Sequence, residues 1–103
     1  LVPILSQHFR CIVPDLWGHG KSTSIESPTL LRMAELYKDF MSDLKVEKYA
    51  IAGLSVGGMW GSILAHIDAD KVTQLIIIPR SHFSKDNSYF LNSCRAGFPH
   101  LHI

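Results

Sequence analysis

The sequence predicts an α/β fold: a parallel sheet of about three strands with flanking helices. Three short runs, "RCIVPDL" (residues 10–16), "KYAIAG" (48–53) and "VTQLIIIP" (72–79), are nearly continuous in apolar residues and bounded by turn formers. Two segments between them carry the spacing of helices. Continuous rather than alternating apolar runs imply strands buried on both faces, the pattern of a parallel sheet covered by helices. Strand, helix, strand, helix, strand in that order implies right-handed crossovers.

The chain opens on Leu1 rather than Met, already inside a helical stretch, which is how a fragment begins. The first strand run is closed by Pro14 and Asp15, and "WGHGKSTSIESP" (residues 17–28) reads as a Gly- and Ser-rich loop. Over residues 29–44 the apolar positions Leu30, Met33, Leu36, Tyr37, Phe40, Met41 and Leu44 step by three and four. That predicts an amphipathic helix with Lys38, Asp39 and Asp43 outward and Ser27 or Thr29 as its cap. Residues 48–53 form the second strand, Val56–Ile67 the second full helix and residues 72–79 the third strand. From Pro79 the pattern stops. "RSHFSKDNSYFLNSCRAGFPHLHI" has neither period, so the chain divides at residue 78 into a core and a tail, residues 79–103, with no assignable structure.

Composition excludes several functions. At 103 residues, 47% apolar and 18% charged, the chain suits one globular domain and not a disordered segment. A net charge of +1 without a basic block gives no basis for a nucleic-acid or anionic-membrane partner. No apolar run reaches the roughly 18 residues of a membrane span. No signal peptide is visible, so the cytoplasm is the default location. Cys11 and Cys94 set no disulfide framework and lack metal spacing, and Cys11 reads as a buried free thiol. No metal or other cofactor is implied.

The chemistry centres on "GLSVG" (residues 53–57), a match to G-x-S-x-G. Alone it is weak, since a chain of about 100 residues shows it by chance roughly 3% of the time. Its setting sharpens it: a strand runs directly into it and a helix leaves it, the arrangement of a nucleophile elbow. So tight a turn forces Ser55 into a strained backbone conformation. Side chains two residues to either side would collide, hence Gly53 and Gly57. Ser55 Oγ then stands at a helix N-terminus, where the dipole favours developing negative charge, and the Val56 N–H is the expected oxyanion donor. Gly57, Gly58 and Gly61 let the helix lie close on its strand. The competing reading is a strand–turn–helix connection with an incidental serine.

Two other glycine-rich readings fail. "DLWGHGKS" misses the phosphate loop because Asp15 stands in place of its first glycine and a long loop follows. "GHGKST" misses the dinucleotide fingerprint because Thr23 stands in place of its third glycine.

Taken together, "CIVPDLWGHGKS", "LLRMAELYKDFMSDLKVEKYAIAGLSVGGMWGSILAH" and "VTQLIII" resemble the central part of an α/β-hydrolase, closest to the esterase and enol-lactonase branch with its D-L-x-G-x-G-x-S and G-x-S-x-G-G-M segments. The resemblance covers residues 1–78, an incomplete α/β-hydrolase core. It implies that residues 1–9 finish a helix, that residues 11–14, 49–52 and 73–78 are the fourth, fifth and sixth strands, and that Ser55 is the nucleophile with Val56 as oxyanion donor. It also implies that the second oxyanion donor precedes Leu1 and that the triad acid and histidine follow residue 78. The place just after the sixth strand, where some relatives carry an acid, reads Pro79-Arg80, and Asp86 is the nearest carboxylate beyond it. Of the six histidines, His19 sits in the glycine loop, His66 too far along the elbow helix, and His8 before the first strand. His82, His100 and His102 would have to fold back from the tail.

Three functions compete on this basis. One is a serine hydrolase acting on small carboxylic esters or lactones, weak or inactive as given because the triad acid and histidine are missing. The second is a truncated or frameshifted non-catalytic remnant. The third is a small-ligand or anion-binding module built on the elbow. The third strand of the family's sheet is also absent, so exposed sheet edges would favour a homo-oligomer or a complementing chain.

Overall fold

The computed structural model describes residues 1–26 and 29–78, so the tail with His82, Asp86, Cys94, His100 and His102 lies outside the described residues. The elements are α1 (Val2–Leu5), α2 (Leu30–Asp43), β1 (Tyr49–Leu54), α3 (Val56–Ile67) and β2 (Val72–Ile78). β1 and β2 pair in parallel, with Ile51 opposite Leu75, Gly53 opposite Ile77 and Leu54 opposite Ile78. The molecule is layered: the sheet, then α3 upon it, then α2 upon α3.

α2 forms where the apolar spacing places it. Thr29 is its cap, the hydroxyl accepting the N–H of Arg32 at 3.1 Å, which satisfies one of the donors a helix start leaves unpaired. Ala34, Tyr37 and Met41 are its buried residues, and the first two share a core cluster with Leu64 and Ala65 of α3. Lys38 departs from the outward expectation: it is half-buried, and its ammonium donates to Ile67 O at 2.9 Å, closing a carbonyl at the negative end of α3. α3 is apolar nearly all round because it is sandwiched between the sheet and α2.

Three expectations are corrected. Residues 10–16 form no strand, so the described sheet has two strands and not three. A β-branched run becomes a strand only where a ladder takes its N–H and C=O groups, and Pro14 has no N–H to give. No such ladder forms here; Val13 is 71% exposed. Secondly, the sheet is buried on one face among the described residues. Ile51, Gly53, Leu75 and Ile77 face α3, while Leu54, Ile76 and Ile78 are exposed on the other side. An apolar run thus reports an apolar environment on offer, whether or not both faces are covered. Thirdly, the opening helix is a single turn, continued to Phe9 by turn hydrogen bonds onto Leu5 O, and Cys11 is half-buried.

At the far end of the sheet Tyr49 donates its hydroxyl to Asp68 Oδ2 at 2.7 Å. Asp68 closes α3 and is only 6% exposed, a carboxylate placed against the negative end of a helix. Burial first, then the hydrogen bond and charge of Asp68, hold the Tyr49 phenol well above its ordinary value. Tyr49→Phe leaves that buried carboxylate short of a donor and is expected to cost about 2 kcal/mol in urea denaturation. The phenol's raised value has its own signature. Below pH ~10 it is protonated in both states and stability does not change on its account. Above that, the unfolded chain ionises first, so stability falls with rising pH. Tyr49→Phe should flatten the alkaline fall; an unchanged slope would show that the phenol is not held there.

Candidate active site

The candidate site lies where β1 ends and α3 begins. Ser55 occupies the single residue between them, with φ 54° and ψ −117°. That pair of angles is the first central position of a type II′ turn, a place glycine takes readily and an L-residue takes only under strain. The surroundings impose it. Ser55 N–H donates to Ile78 O at 3.0 Å, tying the turn to the end of β2. Ser55 O accepts the N–H of Gly58 at 2.9 Å and of Met59 at 3.3 Å, which starts the helix at once. The N–H groups of Val56 and Gly57 precede the first intrahelical bond and have no intrahelical partner.

The glycines divide their work unevenly. A Cβ on Gly53 would stand 2.4 Å from Gly57 O and 2.6 Å from Gly58 N, so the strand end and the helix start touch backbone to backbone. A Cβ on Gly57 would meet nothing within 4 Å. The expectation that both flanking glycines make room is therefore corrected: the collision is between a side chain at 53 and the main chain at 57. Gly58 and Gly61 do bring the helix down on its strands, since a Cβ would lie 2.7 Å from Ile77 Cγ2 at the first and 3.1 Å from Ile51 Cγ2 at the second.

The Ser55 side chain is half-buried and makes no hydrogen bond to a described residue. His8 and His66 are exposed, and His19 places Nδ1 3.2 Å from Trp17 O, so that nitrogen carries the proton. None of the three is hydrogen-bonded to Ser55. Val56 opens α3 as its first residue. Among the described residues no group of His, Cys, Asp and Glu could hold a metal ion, and no helix is long and apolar enough to cross a membrane.

Against Tyr37 of α2 lies the loop whose glycine pattern failed as a phosphate cradle. Its misfit residue organises it. Asp15 Oδ2 accepts the Lys21 N–H at 3.0 Å, Asp15 O accepts the Ser22 hydroxyl at 2.7 Å, and Gly20 (φ 53°) rests where a Cβ would be 2.3 Å from Asp15 Oδ2. The loop is wound on a carboxylate, which leaves no anion site at its centre. The Tyr37 hydroxyl reaches the same Asp15 O at 3.2 Å, and the Tyr37 ring stacks on Trp60 of α3 with centroids 4.3 Å apart. Burial, then the Asp15 charge, raise the Tyr37 phenol above its ordinary value. Sequence reading took Tyr37 as part of an apolar stripe and missed this joint, because no local spacing links Trp17, Tyr37 and Trp60.

Comparison with known proteins agrees with this architecture. The sequence matches the alpha/beta hydrolase fold family over residues 1–93. It is 36% identical over 76 residues to a protein of Yersinia enterocolitica provisionally named carbamate hydrolase RutD, covering 72% of this chain and 27% of that one. It is 36% identical over 58 residues to 3-oxoadipate enol-lactonase 1 of Acinetobacter baylyi, covering 56% of this chain and 22% of that one. It is 33% identical over 78 residues to the pimeloyl-[acyl-carrier protein] methyl ester esterase of Nitrosomonas europaea, covering 76% and 29%. The chain thus spans under a third of the length of these relatives. No solved structure matches it significantly. A strained serine between a parallel strand and an apolar helix, in a sequence that matches the family over most of its length, places this chain in the α/β-hydrolase family.

Proposed function

We propose that the chain carries the nucleophile of a serine hydrolase acting on small carboxylic esters or lactones, with Ser55 as that nucleophile. The observation that carries the reading is the Ser55 backbone at φ 54°, held by Ile78 O on one side and by the first turn of α3 on the other. Strain of this kind persists only where the surroundings over-determine it, and it lifts the hydroxyl clear of both elements. The names of the relatives support the substrate class, since one is an enol-lactonase and another a methyl ester esterase.

In this reading Ser55 Oγ attacks the acyl carbonyl carbon while a base outside the described residues takes its proton. The carbonyl oxygen becomes an oxyanion beside the helix N-terminus and accepts the Val56 N–H. Collapse expels the alcohol, or opens the lactone ring, and the base returns the proton to the leaving oxygen. Water then attacks the acyl-enzyme and gives its proton to the base, which passes it to Ser55 Oγ as the C–O bond breaks and the acid leaves. Gly53 holds the turn tight enough for these groups to meet.

The test is intact mass after incubation with a fluorophosphonate ester, beside Ser55→Ala. One phosphonyl adduct on the chain, lost in the variant, is the expected result and shows an activated serine. No adduct on protein shown to be folded would overturn it, leaving an elbow retained without its chemistry.

A further inference from the structure

The aromatic joint beside the elbow helix is not used by the reaction above, yet it touches the helix that carries the reaction. Tyr37 is 3% exposed, so its ring is enclosed by protein. One face lies nearly parallel to Trp60, at 15° with centroids 4.3 Å apart, and Trp17 packs beside it at 6.1 Å and 52°. Trp60 stands in the second turn of α3, and Ser55 immediately precedes the first. The other side of α3 is pinned by the close approach of Gly58 to Ile77 and of Gly61 to Ile51. α3 is therefore clamped between the sheet and a stacked ring. The clamp is continued outward, since the Tyr37 hydroxyl shares Asp15 O with the Ser22 hydroxyl and so braces α2 against the loop of residues 15–22.

We propose that Tyr37 is a positioning residue for Ser55: its ring, stacked on Trp60, holds α3 down on the sheet and so keeps the serine turn in its strained geometry. The proposal rests on the reading of Ser55 as nucleophile. A strained turn relaxes when either of the elements it joins can tilt, and α3 is the element with a side-chain clamp rather than a ladder. The ring does this work and the hydroxyl serves the loop, so the two are separable by substitution. Tyr37→Phe keeps the ring and loses the bond to Asp15 O. Tyr37→Leu loses the stack as well.

Two readouts decide it, both on the full chain. The first is fluorophosphonate inactivation resolved into its maximal rate and half-saturating concentration. Tyr37→Leu is expected to lower the maximal rate about tenfold and leave the half-saturating concentration within about twofold, with Tyr37→Phe restoring most of the rate. A purely structural role would lower stability but leave the folded protein reacting at the wild-type rate, and that result overturns the proposal. The second is amide exchange at Gly58 and Met59, whose N–H groups bond Ser55 O. Tyr37→Leu should speed their exchange about tenfold relative to the amides of β2, and Tyr37→Phe should instead speed Lys21 and leave them protected. Exchange that changes uniformly, or not at all at the turn, overturns the proposal even where labelling is normal. If the wild-type chain takes no label, the nucleophile reading fails and the exchange experiment alone decides the clamp. Should Tyr37→Leu not fold, Trp60→Leu removes the same stack from the half-buried partner and is held to the same two outcomes.

Discussion

On the proposed reaction, Ser55→Ala is expected to abolish the ester turnover of the full chain with little change in stability, whereas Ser55→Gly should match that loss and raise stability by about 1 kcal/mol. In the proposed reaction the hydroxyl is the attacking group, and either change removes it. Stability separates the two through the backbone. At φ 54° and ψ −117° an L-residue is strained by about 1–3 kcal/mol, and alanine has the same Cβ as serine. Alanine therefore keeps the strain. Glycine relieves it, and gives back roughly 0.5–1 kcal/mol because its unfolded chain is freer. A serine at a helix start usually contributes through its side-chain cap, but Ser55 makes no such bond, so nothing is lost there. Thermal denaturation of the three proteins, alongside hydrolysis of a simple ester, gives both numbers. A glycine variant no more stable than the alanine variant would mean that the turn stores no strain, and the argument from backbone to reactivity would fall.

What the sequence made legible follows from how local each cause is. α3 begins and ends where the pattern of residues puts it, because a Gly-Ser turn and an apolar run fix both ends within the segment itself. α2 and its Thr29 cap are local in the same sense. The run at residues 10–16 was misread because a strand is not a local object: its sequence can be right while its partner is elsewhere. The same holds for the sheet face carrying Leu54, Ile76 and Ile78, whose burial depends on what lies across from it. At the candidate site, the strained turn at Ser55 was legible from a five-residue pattern. The division of labour between Gly53 and Gly57 was not, since a pattern records residue types and not which atom meets which. Asp15 shows the opposite case. It was read as a flaw in a phosphate loop, and it is the residue on which the loop is wound.

That division of labour yields the largest contrast in stability. Gly53→Ala is expected to cost about 3 kcal/mol, while Gly57→Ala should be neutral or stabilising by up to about 1 kcal/mol. At 53 the new methyl would sit 2.4 Å from Gly57 O, 2.5 Å from Gly57 C and 2.6 Å from Gly58 N. All three are main-chain atoms of the first turn of α3, so no side chain can swing aside; either the helix lifts from the strand or the turn opens. Gly58→Ala is the intermediate case, because its 2.7 Å contact is to the Ile77 side chain, which has some freedom to give. At 57 there is open space and ordinary helical backbone, where alanine loses less entropy on folding than glycine does. Urea denaturation ranks the three variants directly, and fluorophosphonate labelling shows whether the ranking reaches the site. Lifting the helix at 53 moves the Val56 and Gly57 N–H groups away from where an oxyanion would form, so labelling should fall with Gly53→Ala and persist with Gly57→Ala. Equal destabilisation at 53 and 57 would restore the symmetric picture, two side chains colliding across the serine, and would show that the close approach of Gly53 to the helix backbone is not what sets the turn.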